Sequence, residues 1–271
     1  PGGHAVDVEG HHALAGAAGM GLGAETAPAA GGEGEPDPRT RIGAGGSRLG
    51  GGRSAIDTRK LYLTGFLQRV IDAMPGRPEE KRYDAQELAE NLIDWVDEDD
   101  VRQRGGPEDE PYQRRDPPYR AANRSLLSLD ELRLVEGFDG ALVDALRPYV
   151  VVWPLAGTGG INLNTAPPWV LAQLTRGSDI SGMRPVDEEH VRRILDAREE
   201  GVVCSASGEG AVCTPVQELF DGESISPPMA DRSSVFVVRA IARVVDVERR
   251  IEAVLDRSDP AAIQRLSWRV E

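Results

Sequence analysis

Apolar positions fall into a helical rhythm from residue 61 onward. Leu63, Phe66, Leu67, Val70, Ile71 and Met74 share one face of a 3.6-residue repeat, and Pro75-Gly76 ends it. Asp84, with Glu87 three residues on, reads as the cap of a second helix, whose buried stripe is Leu88, Leu92, Trp95 and Val96. Ser128 and Glu131 form a capping-box pair ahead of Leu132, Leu134 and Val135, and a turn at Gly137 leads into a helix through Leu142 and Leu146. "NTAPPWVLAQL" (164 to 174) starts another helix with Thr165 as its cap. Asp187 caps the next, which carries Val191, Ile194 and Leu195 and stops at Gly201. A last short helix begins at Thr214-Pro215, with Gln217 in capping-box position and Leu219 and Phe220 inward. Residues 61 to 225 therefore read as a compact, mostly helical unit.

The period then changes to two. In "VFVVRAIARVV" (235 to 245) Phe236, Val238, Ala240, Ala242 and Val244 fall on one face, and Arg239 and Arg243 on the other. Ile251, Ala253 and Leu255 alternate next, and Leu266, Trp268 and Val270 close the chain. Three such strands joined by short polar turns predict an antiparallel meander whose apolar face needs a cover. At the other end, residues 1 to 52 are rich in Gly and Ala and lack apolar periodicity, a composition that buries too little to offset chain entropy and predicts a disordered leader. The expected organisation is a leader (1-52), a helical domain (53-232) and terminal strands (233-271).

Composition narrows the chemistry. A formal net charge of -14 disfavours a protein that grips the phosphates of nucleic acid, which needs clustered Lys and Arg. The hairpin "SLDELRLVEGFDGALVDALRPYV" (128 to 150) is similar to helix-hairpin-helix modules that hold DNA. Its turn carries Glu136 and Asp139, which repel phosphate. Catalytic constellations are poor: His190 is the only histidine beyond the leader, placed on the boundary of a helix surface, with no nucleophile elbow and no zinc motif in support. No run of about 18 apolar residues predicts a membrane span. Cys204 and Cys213, the only cysteines, fit either a small disulfide loop or two free thiols.

The acids of "LIDWVDEDDVRQRGGPEDEPY" (92 to 112) are arranged rather than scattered. Asp94 and Asp97 lie three apart at a helix end, Asp99 and Asp100 follow, and Gly105-Gly106-Pro107 turns the chain back before Glu108 and Asp109. A helix end exposing carbonyls beside returning carboxylates offers the oxygens a hard cation such as calcium takes, although the spacing is not that of an EF-hand. As a bare pattern, a solvated acidic face explains the same residues. Asn123-Arg124-Ser125 also fits a glycosylation sequon.

The order "LIDWVDEDD", "GGPEDEPY", "PPYRAANRSLLSLDELRLVEGF", "INLNTAPPWVLAQL", "VFVVRAIARV" resembles the type II secretion minor pseudopilin K family across residues 57 to 271. The resemblance implies an α+β fold, a pilin-like antiparallel sheet with a large inserted, mostly α-helical domain. It implies no enzymatic activity. The expected role lies at the tip of the periplasmic pseudopilus, with minor pseudopilins I and J, in the export of folded proteins across the outer membrane. It also implies calcium in the helical domain, with Asp97, Asp99, Glu108 and Asp109 as ligands and Asp94 and Asp100 as weaker candidates. An inner-membrane location facing the periplasm follows, where Cys204 and Cys213 can oxidise. The family begins with a peptidase site and an apolar anchor helix; residues 1 to 52 contain neither, which reads as a truncated or mis-started N-terminus or a diverged member. "SAIDTRKLYL" (54 to 63) is the candidate remnant of a first sheet strand. The rival functions are a helix-hairpin-helix nucleic-acid module and a secreted calcium-dependent hydrolase.

Overall fold

The computed structural model describes residues 4–10, 14–15, 52–77, 81–152, 160–177, 183–204, 213–244, 247–259 and 261–270. Its centre is α2 (Ala85–Val96), capped as its sequence predicts: Asp84 Oδ1 accepts from the N–H groups of Gln86 at 2.9 Å and Glu87 at 3.0 Å. The helix buries almost its whole circumference, including the polar side chains Glu90, Asn91 and Asp94. Such a helix is buried on every side because other elements surround it, and its acids must find partners there. Glu90 does: Lys60 Nζ at 2.8 Å, Gln86 Nε2 at 2.9 Å and Arg104 Nε at 2.5 Å surround it. Burial works to raise its pKa, and these partners overcome that and hold it down at about 2.

The first helix, α1 (Gly52–Ala73), packs against α2 and, beyond the short α3 (Glu110–Gln113) in chain order, against α4 (Gly140–Leu146). It takes in residues 54 to 63, so the expected strand remnant is helical; its apolar residues Tyr62, Leu63, Phe66 and Leu67 all enter the core. The turn before α4 is fixed by Gly137, whose φ of +88° suits glycine, and a Cβ there would stand 2.8 Å from Leu88 Cδ2 on α2. Asn91 Nδ2 donates to Glu136 O at 3.1 Å in the same turn. The hairpin is thus a structural contact for α2.

Two expected capping boxes do not form. Ser128 makes no side-chain cap, and Leu129–Leu134 is a 3-10 helix. Glu131 turns inward instead, where its carboxylate accepts from Trp95 Nε1 at 3.2 Å and from Leu127 N at 2.9 Å. The buried indole N–H needs an acceptor more than the exposed helix end does. In α7 (Val216–Leu219) Pro215 holds the N-cap position, and Gln217 lies inside the helix. Likewise α5 (Pro168–Leu171) starts after Pro167, with Thr165 left in the preceding turn. In α6 (Glu188–Glu200) Asp187 does cap, accepting from His190 N at 3.1 Å. His190 itself is buried, stacked on Phe220 at 5.0 Å with Nδ1 2.6 Å from Asp187 Oδ1, and is not the surface histidine its position suggests.

The period-two tail forms the expected meander. Antiparallel strands β2 (Val235–Val244), β3 (Val247–Asp256) and β4 (Gln264–Val270) are joined at the β2 edge by β1 (His4–Gly10), giving the order β1-β2-β3-β4. The leader therefore contributes this strand, and Leu14–Ala15 pairs in parallel with Val150–Val151; residues 1–3, 11–13 and 16–51, most of the expected disordered leader, lie outside the described residues. Phe236, Val238 and Ala240 stand opposite Leu255, Ala253 and Ile251, and across β3–β4 Ala253 faces Trp268 and Ile251 faces Val270. Trp268 and Val270 on this apolar face are exposed. The opposite face buries Val235, Val237 and Val254 and then carries the cross-strand pairs Arg239–Glu252 and Arg243–Glu248.

Candidate metal centre

Asp94 lies in the last turn of α2 and Asp97 at its C-cap, where the Asp97 N–H donates to Ile93 O at 3.0 Å. Their spacing of three puts both carboxylates on one side of the helix end. The chain then leaves and comes back. Asp99 Oδ1 accepts from Val101 N at 2.8 Å, Gly105 and Gly106 adopt φ of +82° and +91°, and Val101 bridges Pro107. Only residues at ease with positive φ make this reversal cheaply, which is the local reason for the Gly-Gly pair. Glu108 N donates to Asp100 O at 3.3 Å, and the returning strand sets the Glu108 side chain against the helix end.

Carboxylate oxygens of Asp94, Asp97 and Glu108 all lie within 4.8 Å of one another. Glu108 is 2% exposed and Asp94 4%. Asp97 Oδ1 and both Glu108 oxygens are buried without a hydrogen-bond partner. Such groups are costly when charged, and proximity compounds the cost. Burial, with the charges of Asp97, Asp94 and Asp99 added, pushes the Glu108 carboxyl up to about 8. Burial and the charges of Asp99 and Asp94 push Asp97 up to about 6, and burial also raises Asp94. Three acids therefore sit together with more negative charge than their protein partners neutralise.

The donor set fits a hard cation. A divalent ion at the meeting point would satisfy the orphaned oxygens, and the exposed carbonyl end of α2 favours positive charge there. Of the residues the resemblance carries over, Asp97 and Glu108 enter the cluster, joined by Asp94. Asp99 lies close enough to perturb all three, while its carboxylate shapes the turn. Asp109 turns away: its Oδ1 accepts from Ala121 N at 2.9 Å, and Oδ2 is 3.7 Å from Arg120 Nε. Asp100 Oδ1 is 3.3 Å from Asn123 Nδ2.

Asn123 has a structural part that the sequon reading hides. Its Nδ2 donates to Asp99 O at 3.0 Å, and its backbone N–H to Trp95 O at 3.0 Å, fastening the loop to the C-terminal end of α2. Below it, Trp95 packs edge-on against Tyr112 and Tyr119. Farther along the chain, Cys204 and Cys213 are joined as a disulfide with Cα atoms 5.9 Å apart, the first of the two readings of the pair.

A helical domain with a buried acid cluster, beside an antiparallel sheet, defines the class: an α+β protein of pilin-like architecture. Residues 65–155, which contain the cluster, match the model of the first domain of type II secretion system protein K. It is similar to the type II secretion system protein K of Aeromonas hydrophila, 30% identical over 207 residues, covering 76% of this chain and 60% of that protein. The protein K of Klebsiella pneumoniae is 32% identical over 183 residues, 65% of this chain and 51% of its own length. The chain thus spans about half to three-fifths of these relatives. In fold it resembles a chain of the crystal structure of the GspK-GspI-GspJ complex from the enterotoxigenic Escherichia coli type 2 secretion system, with a TM-score of 0.57 and 20% identity over 100% of this chain and 80% of that one. Among the described residues, no helix is long and apolar enough to cross a membrane.

Proposed function

We propose that this chain is the minor pseudopilin K of a type II secretion apparatus, acting at the pseudopilus tip on the periplasmic face of the inner membrane in the export of folded proteins. The observation that carries this reading is the family match over residues 65–155, because it falls on the helical domain that sets protein K apart from a bare pilin sheet. The similar structure is that of a GspK-GspI-GspJ complex, so pseudopilins of the I and J types are the partners to test. The role in this reading is structural: the cluster is built from acids alone, and His190, beside Asp187, is buried under Phe220.

Within that role we assign calcium to the cluster of Asp94, Asp97 and Glu108. A bound dication supplies charge neutralisation, and the residues do the rest: they tie the end of α2 to the returning loop and through it to Asn123. Binding to the native state alone stabilises that state by mass action. Co-expression with I-type and J-type pseudopilins tests the assembly role. Recovery of a three-component complex is expected, and a folded chain that binds neither partner contradicts it.

A further inference from the structure

Beside the acid cluster stands a cation that the chain itself provides. Arg102, in the loop between Asp97 and Glu108, has Nε 3.9 Å from Asp94 Oδ2. Its Nη2 lies 3.3 Å from Glu136 Oε2 and 3.4 Å from Asn91 Oδ1. The guanidinium thus reaches three places at once: the metal cluster, the body of α2 and the turn before α4. Asp94 does not depend on Arg102 for its placement, because its other oxygen accepts from Gln103 N at 2.9 Å. Glu136 is likewise held by its backbone, whose carbonyl accepts from Asn91 Nδ2 at 3.1 Å. The loop's other arginine, Arg104, is engaged elsewhere, with Glu87 and Glu90.

We propose that Arg102 and Glu136 form a charge pair that sets the calcium affinity of the cluster: Arg102 acts as an internal competitor of the ion, and Glu136 draws that competitor away. The inference rests on the calcium reading of the cluster. Its physical basis is charge arithmetic. A guanidinium beside Asp94 offsets part of the negative charge that attracts a dication and repels the ion itself, while the Glu136 carboxylate cancels part of that repulsion. Because Glu136 belongs to the turn before α4, the affinity of the cluster is coupled to that turn. A partner that engages Glu136 there frees Arg102 toward Asp94 and loosens the ion.

The test is calcium titration calorimetry on the full chain, stripped with chelator, at about 0.1 M salt, where charges farther apart than about 10 Å are screened. Arg102→Gln is expected to tighten calcium binding by roughly threefold to tenfold, the scale of one unit charge a few ångströms away in water-like surroundings. Glu136→Gln, which keeps an acceptor for Arg102 and removes the charge, is expected to weaken binding by a similar factor. The double variant should return close to the wild-type affinity. A merely structural role predicts the opposite for Arg102→Gln, since a loosened loop binds more weakly. Weaker binding by Arg102→Gln, or an unchanged affinity in Glu136→Gln, overturns the proposal. If Arg102→Gln does not fold, Glu136→Gln decides, with its side chain on the rim of the site. Failure of the wild-type chain to bind calcium overturns the calcium reading as well, so the two failures are distinct.

Discussion

Glu108 returns from the far side of a Gly-Gly turn to place its buried carboxylate against that of half-buried Asp97 at the end of α2, each with a buried oxygen that no donor outside the pair satisfies. Two acids in that relationship either keep a proton or share a cation. Substituting Glu108→Gln keeps the shape and removes the carboxyl that must hold a proton in the metal-free native state. The metal-free protein should then melt higher at neutral pH, and the rise in melting temperature on adding calcium should shrink or vanish. A gain of about 1 kcal/mol corresponds to roughly 2–4 °C in a domain of this size. Differential scanning calorimetry with calcium and with chelator reads both effects.

The pH dependence of the metal-free protein follows from the same pair. The folded values of Glu108, about 8, and Asp97, about 6, lie above their ordinary values of 4.5 and 3.8. The native state therefore holds protons that the unfolded chain has released, and stability falls as pH rises through the folded values. Melting in chelator should drop between about pH 4 and 8, with calcium removing most of that slope. Glu90 acts the other way and elsewhere: its folded value near 2 adds stability that is lost only as pH falls from 4.5 toward 2. A melting temperature that rises from pH 5 to pH 8 in chelator contradicts the reading of the cluster.

Asn123→Ala cuts the side-chain tie to Asp99 O and leaves the backbone bond to Trp95 O in place. A net loss of about 1 kcal/mol is expected from the missing hydrogen bond. Calcium binding should weaken with it, because the loop that presents Glu108 is less well held. Melting curves and a calcium titration of the same sample separate the two consequences.

Gly137→Ala places a methyl group at a position of φ +88° and 2.8 Å from Leu88 Cδ2. Strain of about 1–3 kcal/mol is expected. The damage should reach α2, since Asn91 reads the neighbouring Glu136 carbonyl. Urea unfolding should show a lower midpoint, and calcium should recover part of the loss.

The disulfide between Cys204 and Cys213 closes a short loop, and its removal in a Cys204→Ser/Cys213→Ser variant should cost about 2–3 kcal/mol through the freer unfolded chain. Calcium affinity should not change. Chemical denaturation under non-reducing conditions measures the first, calorimetric titration the second.

What the sequence made legible was what depends on neighbours along the chain. Asp84 and Asp187 cap their helices as their spacing predicts, because a cap bonds to backbone two or three residues away. The alternation of Phe236, Val238 and Ala240 named the terminal sheet for the same reason. Legibility ends where a distant group decides. Glu131 left its capping role for the indole of Trp95, and His190 went under Phe220, partners that no local pattern names. β1 leaves little trace in the sequence because Val6 and Val8 alternate over only a few positions inside a Gly- and Ala-rich stretch. In the site, the composition of the loop pointed to the acids but did not sort them. Glu108 faces the cluster and Asp109 faces Ala121 because of where Gly105-Gly106 turns the chain, a three-dimensional fact carried by two residues without side-chain chemistry.

The most direct test of the calcium site is a crystal structure of the full chain grown with calcium, read by the anomalous signal of the ion. The account predicts an ion coordinated by carboxylate oxygens of Asp94, Asp97 and Glu108, with Asp109 still bonded to the Ala121 N–H. A site empty at millimolar calcium, or an ion held by Asp99 and Asp109 while Glu108 remains unbound, contradicts it.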